Sequence, residues 1–255
     1  MAEGLVIAIA GKGGVGKTTT TALMVRNLSE GRKRSLLVVD ANPDSNLSDL
    51  LGIPVAKSLG TEAMELKKSI DEGKVPPETT KKEILEYTIF DILKETPKFD
   101  LLVMGRTEGE GCYCMVNELL TDIIDSFSKK YDLTVMDMEA GLEHVSRRTD
   151  RDVDIMIIVT DPSSMGLKTA KRIRELAKEV HIEFKKIFLV GVKWDPGMEE
   201  TLRKEADNIG VDFGGMIPYD DSVFKYNLAG RTLLDLPADN PALRAAKEIL
   251  TNIGL

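Results

Sequence analysis

Leu5-Val-Ile-Ala-Ile-Ala-Gly-Lys-Gly-Gly-Val-Gly-Lys-Thr-Thr19 is the stretch that decides the fold. Its first six residues are an apolar run of strand length, and from Gly11 it fits G-x-x-x-x-G-K-[ST], with Gly11, Gly16, Lys17 and Thr18 in the defining places. Thr18 to Leu28 reads as the helix leaving the loop. Strand, glycine loop and helix together form a phosphate cradle. Gly11, Gly13, Gly14 and Gly16 let consecutive N–H groups turn inward, with Lys12, Val15 and Thr19 as the other loop residues. Lys17 reaches the outer phosphates, the Thr18 hydroxyl serves Mg²⁺, and the helix start adds its partial positive charge.

Outward from that loop, short apolar runs alternate with longer helical patterns. This predicts an α/β fold: a mostly parallel sheet with helices on both faces, in a single domain spanning 1–255. Strands are expected at 35–40, 99–105, 132–137, 153–160 and 186–193, with a short one leading to Ile217. Helices are expected at 117–130, 163–180, 197–209 and 240–253. Residues 58–96 are charged, carry Pro76-Pro77 and show no strong strand, which predicts a helical insertion over one end of the sheet.

The chain has 255 residues and a formal charge of −8, with a pI near 5.0. An acidic chain lacks the basic face that steady nucleic-acid binding needs. No apolar stretch approaches the length of a membrane span, and the start Met-Ala-Glu-Gly has no signal-peptide pattern. The expectation is therefore a cytoplasmic protein with neither nucleic acid nor membrane as partner. Two cysteines one residue apart point to metal or redox chemistry rather than a structural disulfide.

Acidic strand ends supply the next candidates. In open α/β sheets ligands sit at the carboxyl ends of the strands, and Asp40 and Asp137 each close a predicted strand. Both are placed to reach the γ-phosphate and its magnesium. Glycines at 109 and 111 favour a loop or first turn at Cys112-Tyr-Cys114, where both thiolates can converge on a soft or borderline ion such as Ni²⁺, Zn²⁺ or Cu⁺. One chain offers two thiolates and a four-ligand site wants four, so a two-fold dimer would complete it. His144, His181, Met104, Met115 and the run Lys168, Lys171, Arg172, Arg174 read as capping, core or solvated-face residues.

Lys-Gly-Gly-x-Gly-Lys-Thr resembles the deviant Walker A loop of the SIMIBI ATPases, the class of partitioning, septum-placing, arsenite-pump and nitrogenase-iron-protein ATPases. The resemblance implies that Lys12 crosses to the nucleotide of a partner subunit in an ATP-favoured homodimer. Asp137 with Gly141 resembles switch II, and Asp40-Ala-Asn-Pro-Asp44 resembles switch I, with Asn42 where many relatives have aspartate. That aspartate is credited with orienting the attacking water. Slow hydrolysis is therefore expected, with Asp40 or Asp44 taking the role. The guanine motif Asn-Lys-x-Asp is absent, which favours ATP and its product ADP. The base side falls near Lys193 and at Ile217-Pro218-Tyr219, with Gly191 or Val192 where relatives carry an asparagine.

Phosphate loop, Asp-Ala-Asn-Pro-Asp-Ser, Gly-Cys-Tyr-Cys, Val-Met-Asp-Met-Glu-Ala-Gly-Leu-Glu-His and Ile-Pro-Tyr run in the order of the CooC-type nickel-insertion ATPases. These serve carbon monoxide dehydrogenase, and their AcsF branch serves acetyl-CoA synthase. The resemblance implies an ATPase whose dimer closure is coupled to nickel binding at Cys112 and Cys114, with a nickel enzyme as client. Two other classes compete. One is an electron-transferring ATPase with a [4Fe-4S] cluster bridged by the dimer; the other is a positioning ATPase acting on membrane or DNA.

Overall fold

The computed structural model describes residues 4–31, 35–74, 76, 78, 80–106, 122, 128–139, 153–179 and 184–255. Strand β1 (Leu5–Gly11) runs into the glycine loop, and helix α1 (Lys17–Leu28) leaves it. Then come β2 (Leu36–Asp40), α2 (Asn46–Leu50), α3 (Leu59–Asp71), α4 (Lys81–Ile92), β3 (Lys94–Glu95) and β4 (Asp100–Val103). After β5 (Leu133–Asp137) follow β6 (Ile155–Thr160), α5 (Ser164–Glu179), β7 (Lys186–Val192) and α6 (Glu199–Ile209). The chain ends with β8 (Asp212–Ile217), α7 (Asp221–Leu228) and α8 (Pro241–Asn252).

The eight strands lie in the order β3-β4-β2-β5-β1-β6-β7-β8. All neighbouring pairs are parallel except the edge pair β3–β4. A parallel sheet covered on both faces must be apolar on both, and the strands are. In β1, Val6, Ala8 and Ala10 face one core layer while Ile7 and Ile9 face the other; Leu37 and Val39 of β2 divide from Leu36 and Val38 in the same way. The first layer is filled by Leu59, Ala63, Ile89 and Ile92 of α3 and α4, by Ala170, Ile173 and Ala177 of α5, and by Leu202 and Ala206 of α6. The second takes Ala22, Leu23 and Val25 of α1 with Leu243, Ala246 and Ile249 of α8.

The segment 58–96 carries helices α3 and α4, whose buried apolar residues Leu59, Ala63, Ile89 and Ile92 belong to the first core layer, and the two helices lie in the crossover from β2 to β4. It also contributes a strand that hydrophobic periodicity does not signal: Lys94 and Glu95 pair antiparallel with Leu101 and Asp100. Two exposed charged residues at a sheet edge leave no apolar pattern to read. Of the helix expected at 117–130, only Asp122 and the 3-10 turn Ser128–Lys130 fall among the described residues.

Candidate nucleotide site

Strand order reverses direction around β1, which lies between β5 and β6. The crevice at the carboxyl end of the sheet opens there, and the glycine loop sits in it. Gly11 has φ 151°, and a Cβ added to it would lie 2.3 Å from the Val159 carbonyl oxygen of the neighbouring strand. Only glycine fits that position. Gly14 has φ 74° and Gly16 φ 109°, whereas a Cβ on Gly13 or Gly14 would meet nothing within 4 Å. The loop is thus tight against the sheet at its start and open over its middle, where a ligand's oxygens would approach the backbone.

Helix α1 begins at Gly16 with no side-chain cap and no acidic residue in its first turn. Three other helices spend their N-termini internally: Thr80 and Glu83 cap α4, Asp220 caps α7, and Asn240 caps α8. The free N–H groups of α1 are left for an anion. Lys17 lies almost fully buried beside them, its Nζ 3.3 Å from the Lys12 carbonyl oxygen. Burial pushes its ammonium below the usual lysine range, against the pull of Asp137 and Glu139.

Asp137 ends β5 and is fully buried. The Thr21 hydroxyl, 3.2 Å from Asp137 Oδ1, can donate to it and lies 3.0 Å from the Lys17 carbonyl oxygen. Among the described residues Asp137 Oδ2 is buried and makes no hydrogen bond of good geometry, with the Thr18 side chain the polar group nearest to satisfying it. An orphaned carboxylate oxygen costs free energy unless something cationic meets it. Burial pushes the Asp137 carboxyl up to about 6, although Thr18, Lys17 and Thr21 all favour the charged form. Asp40 stands directly opposite on β2, in register with Asp137. Burial, and next the charge of Asp137, push Asp40 up to about 7.

The donor set fits nucleotide with magnesium. Asp137, through its orphaned oxygen, and Thr18 are the residues that would hold Mg²⁺, while Lys17 and the open glycine backbone would hold the phosphates. Bound magnesium supplies positive charge that favours both carboxylates ionised and offsets the charge of the phosphate oxygens.

Asp40 does a different job from Asp137. Its Oδ1 accepts the Asn42 N–H at 3.1 Å and its Oδ2 the Leu47 N–H at 3.0 Å, so it folds the following loop around itself. Asn42 Oδ1 accepts the Asp44 N–H at 3.0 Å, and Ser45 sits in the left-handed region at φ 53°. Asp44 is not drawn into the crevice; it is exposed and paired with Arg106, just past β4.

Lys12 projects from the loop to Asp161 Oδ2 at 3.6 Å, the residue following β6. Burial acts to raise the Asp161 carboxyl, but hydrogen bonds from Ser163 and then Lys12 hold it below the ordinary carboxylate range. On the other side of the loop a cleft of about 170 Å³ is lined by Val15, Gly16, Thr19, Lys193, Pro218 and Tyr219, among others. Lys193 adopts φ 60° and its N–H donates to the Ile217 carbonyl oxygen at 3.1 Å, which brings the two halves of the cleft together. An asparagine at 191 would require its neighbours to shift: a Cβ there would lie 2.4 Å from Leu202 Cδ2 of α6 and 3.0 Å from Trp194 Cδ1.

Sequence reasoning missed Asp161, Thr21 and Arg106. Asp161 follows a strand end, so the rule that picked out Asp40 and Asp137 could have found it. Arg106 and Thr21 carry no such signal, since their partners lie 62 and 116 residues away. Cys112, Cys114, Gly141, His144, His181 and Met115 lie outside the described residues. Among the described residues no group of three or more His, Cys, Asp or Glu side chains could hold a metal ion.

A phosphate loop at the switch point of a parallel sheet, with a buried lysine and a strand-end aspartate beside it, defines a P-loop ATPase. Residues 6–233 match the CobQ/CobB/MinD/ParA nucleotide binding domain, and the chain belongs to that family. It is 47% identical to an uncharacterised ATP-binding protein of Methanocaldococcus jannaschii, over 98% of each chain. It is 33% identical to the carbon monoxide dehydrogenase accessory protein CooC of Rhodospirillum rubrum, over 93% of this chain and 91% of that one. Among solved structures, a ParA family ATPase from Chlorobium tepidum TLS superposes with a TM-score of 0.73 over 99% of each chain. At 19% identity that likeness speaks for the fold alone.

Proposed function

We propose that this ATPase is a nickel-insertion factor for a nickel enzyme, either carbon monoxide dehydrogenase or acetyl-CoA synthase. The observation that carries the reading is the 33% identity to a carbon monoxide dehydrogenase accessory protein over nearly the full chain. The pair Cys112 and Cys114 supports it independently, because thiolates one residue apart suit Ni²⁺, with Zn²⁺ as competitor. In this reading ATP closes a homodimer and Lys12 exchanges its Asp161 partner for the phosphates of the facing subunit. The two cysteine pairs then form one four-thiolate site. Hydrolysis, slow because Asn42 replaces an acid, reopens the dimer and releases the metal to the client. Such coupling requires nickel to prefer one dimer state over the other.

Titration calorimetry of Ni²⁺ and Zn²⁺, with and without ATP and Mg²⁺, tests the reading. One tightly bound ion per two chains is expected, lost in both Cys112→Ala and Cys114→Ala. Binding should weaken as pH falls, because each thiol must release its proton. One ion per chain, or undiminished affinity in the variants, overturns the shared site. An iron–sulfur absorbance in the isolated protein would favour the electron-transfer reading instead. ATP-dependent co-sedimentation with vesicles or DNA would favour the positioning one.

A further inference from the structure

The crossover between β2 and β4 holds a feature that the nucleotide site does not use. Helices α3 and α4 line a groove of about 890 Å³, with Lys74, Pro76 and Glu78 among its lining residues. It is unlike the nucleotide crevice in charge. Among the described residues, five carboxylates line it against two ammonium groups. Both ammonium groups are already matched. Lys57 bridges Glu62 at 2.9 Å and Asp91 at 3.1 Å, and Lys74 pairs with Glu72. Glu65 and Glu78 are exposed and have no partner among the described residues.

One aromatic ring lines the groove: Tyr87 of α4, 69% exposed. Phe90, 85% exposed, stands outside the lining, nearly a turn further along the same helix. Helix α4 carries a reciprocal Thr80–Glu83 capping box, with Thr88, Ile89 and Ile92 buried beneath it. The two rings stand on the outer face of a helix whose Ile89 and Ile92 are buried, where a monomer would gain by covering them.

Unmatched carboxylates beside open aromatic faces suit one cation better than others. A guanidinium stacks on a ring while its fork pairs with a carboxylate, which an ammonium does less well. The fold already uses this chemistry internally: Arg203 lies 3.9 Å from the centre of the Phe213 ring, and Arg231 lies 4.1 Å from that of Tyr226. Neither Tyr87 nor Phe90 has such a partner among the described residues. The start of α3 is tied to the ligand end of the sheet, where the Gly60 N–H donates to the Met104 carbonyl oxygen just past β4 at 2.8 Å.

We propose that the α3–α4 groove is a docking surface for a partner protein's amphipathic segment, its arginines stacking on Tyr87 and pairing with Glu65 and Glu78 and its apolar side chains covering Phe90 beside the groove. This goes beyond the nickel reading and does not depend on which metal the chain handles.

Fluorescence anisotropy at 150 mM salt tests it, with a labelled 16-residue leucine–arginine helical peptide as the probe and the full chain as the receptor. Phe90→Ser and the double variant Glu65→Lys with Glu78→Lys should each weaken binding at least tenfold and leave ATP turnover unchanged. Replacing the peptide's arginines with glutamine should cost at least tenfold, and with lysine about three- to fivefold. Equal affinity for wild type and both variants, or no peptide binding to wild type, overturns the proposal. Light scattering separates the remaining occupant. If Phe90→Ser dissociates a self-associated chain that the peptide fails to displace, the groove belongs to a second copy and the proposal fails.

Discussion

The two loops that flank the nucleotide crevice are built on opposite plans. The phosphate loop is fixed by backbone: Gly11 is wedged against Val159, Gly16 opens α1 without a cap, and Lys17 is buried on the Lys12 carbonyl. The loop after β2 is held by side chains. Asp40 gathers the Asn42 and Leu47 N–H groups, and an exposed Arg106–Asp44 pair ties down its outer end. A backbone-built loop gives a ligand the same reception every time. A loop hung on a buried carboxylate responds to whatever changes that carboxylate's charge, which is what a sensor of nucleotide and magnesium needs.

The largest expected effect falls on the first loop. Lys17→Ala removes a buried cation aimed at the crevice, so ATP hydrolysis should fall by about 10²–10³-fold or more, measured as phosphate release under saturating ATP. Retained turnover would show that the loop's backbone alone carries catalysis. Gly11→Ala should follow: a left-handed φ and a 2.3 Å contact with the Val159 oxygen cannot both be relieved. A loss of about 2–4 kcal/mol in denaturant unfolding is expected. Gly13→Ala, with open space around the added methyl, should cost under about 0.5 kcal/mol in stability while weakening ATP binding. Equal stability losses in the two would mean that the loop is not wedged at its start.

That contrast also explains what was legible in the sequence. The phosphate loop could be read because its geometry admits only glycine at fixed places, and strand-end position was enough to find Asp40 and Asp137. Their division of labour could not be read. Whether a strand-end carboxylate clamps a loop or keeps an oxygen free depends on which N–H groups the next residues bring back, and nothing in Asp-Ala-Asn-Pro-Asp sets it apart from Asp-Met-Glu-Ala-Gly on that point. Asp44, expected near the phosphates, is paired outward because β4 delivers Arg106 beside it. The strand order creates that neighbourhood, and local pattern does not reveal it.

A smaller effect tests the second loop through pH. In the nucleotide-free chain burial, and next the charge of Asp137, push the Asp40 carboxyl up to about 7, and burial pushes the Asp137 carboxyl up to about 6, both from the ordinary 3.8. Between about pH 4 and 7 the folded chain therefore holds more protons than the unfolded chain. Stability from these groups is greatest at the acid end of that window and is lost as pH rises through the folded values. The midpoint of thermal unfolding should be higher at pH 5.5 than at pH 8 by a few degrees. Asp40→Asn, which keeps an acceptor for one N–H, should remove much of that slope. An unchanged slope in Asp40→Asn would place the titration elsewhere and make the loop's anchor indifferent to charge.

The smallest effect is expected at the loop's outer end, and it is the most informative about the comparison. Arg106 and Asp44 pair at the surface, where solvent screening and side-chain entropy leave an ion pair worth little. Arg106→Ala should therefore shift the unfolding midpoint by less than about 3 °C. Its effect should instead be on the freedom of the loop. With Asp44 released, the segment from Asn42 to Ser45 keeps its anchor at Asp40 and its local bonds to Asn42 but loses its tie to β4, so amide exchange at Asp44 and Ser45 should speed up in the nucleotide-free chain. Exchange at Leu47, whose N–H donates to Asp40 Oδ2, should stay slow. High salt should reproduce the change in wild type and have no further effect in the variant. If Arg106→Ala instead destabilises the fold as strongly as Gly11→Ala, the outer end of this loop is as rigidly determined as the phosphate loop. The division between a fixed receptor and a responsive sensor would then fall.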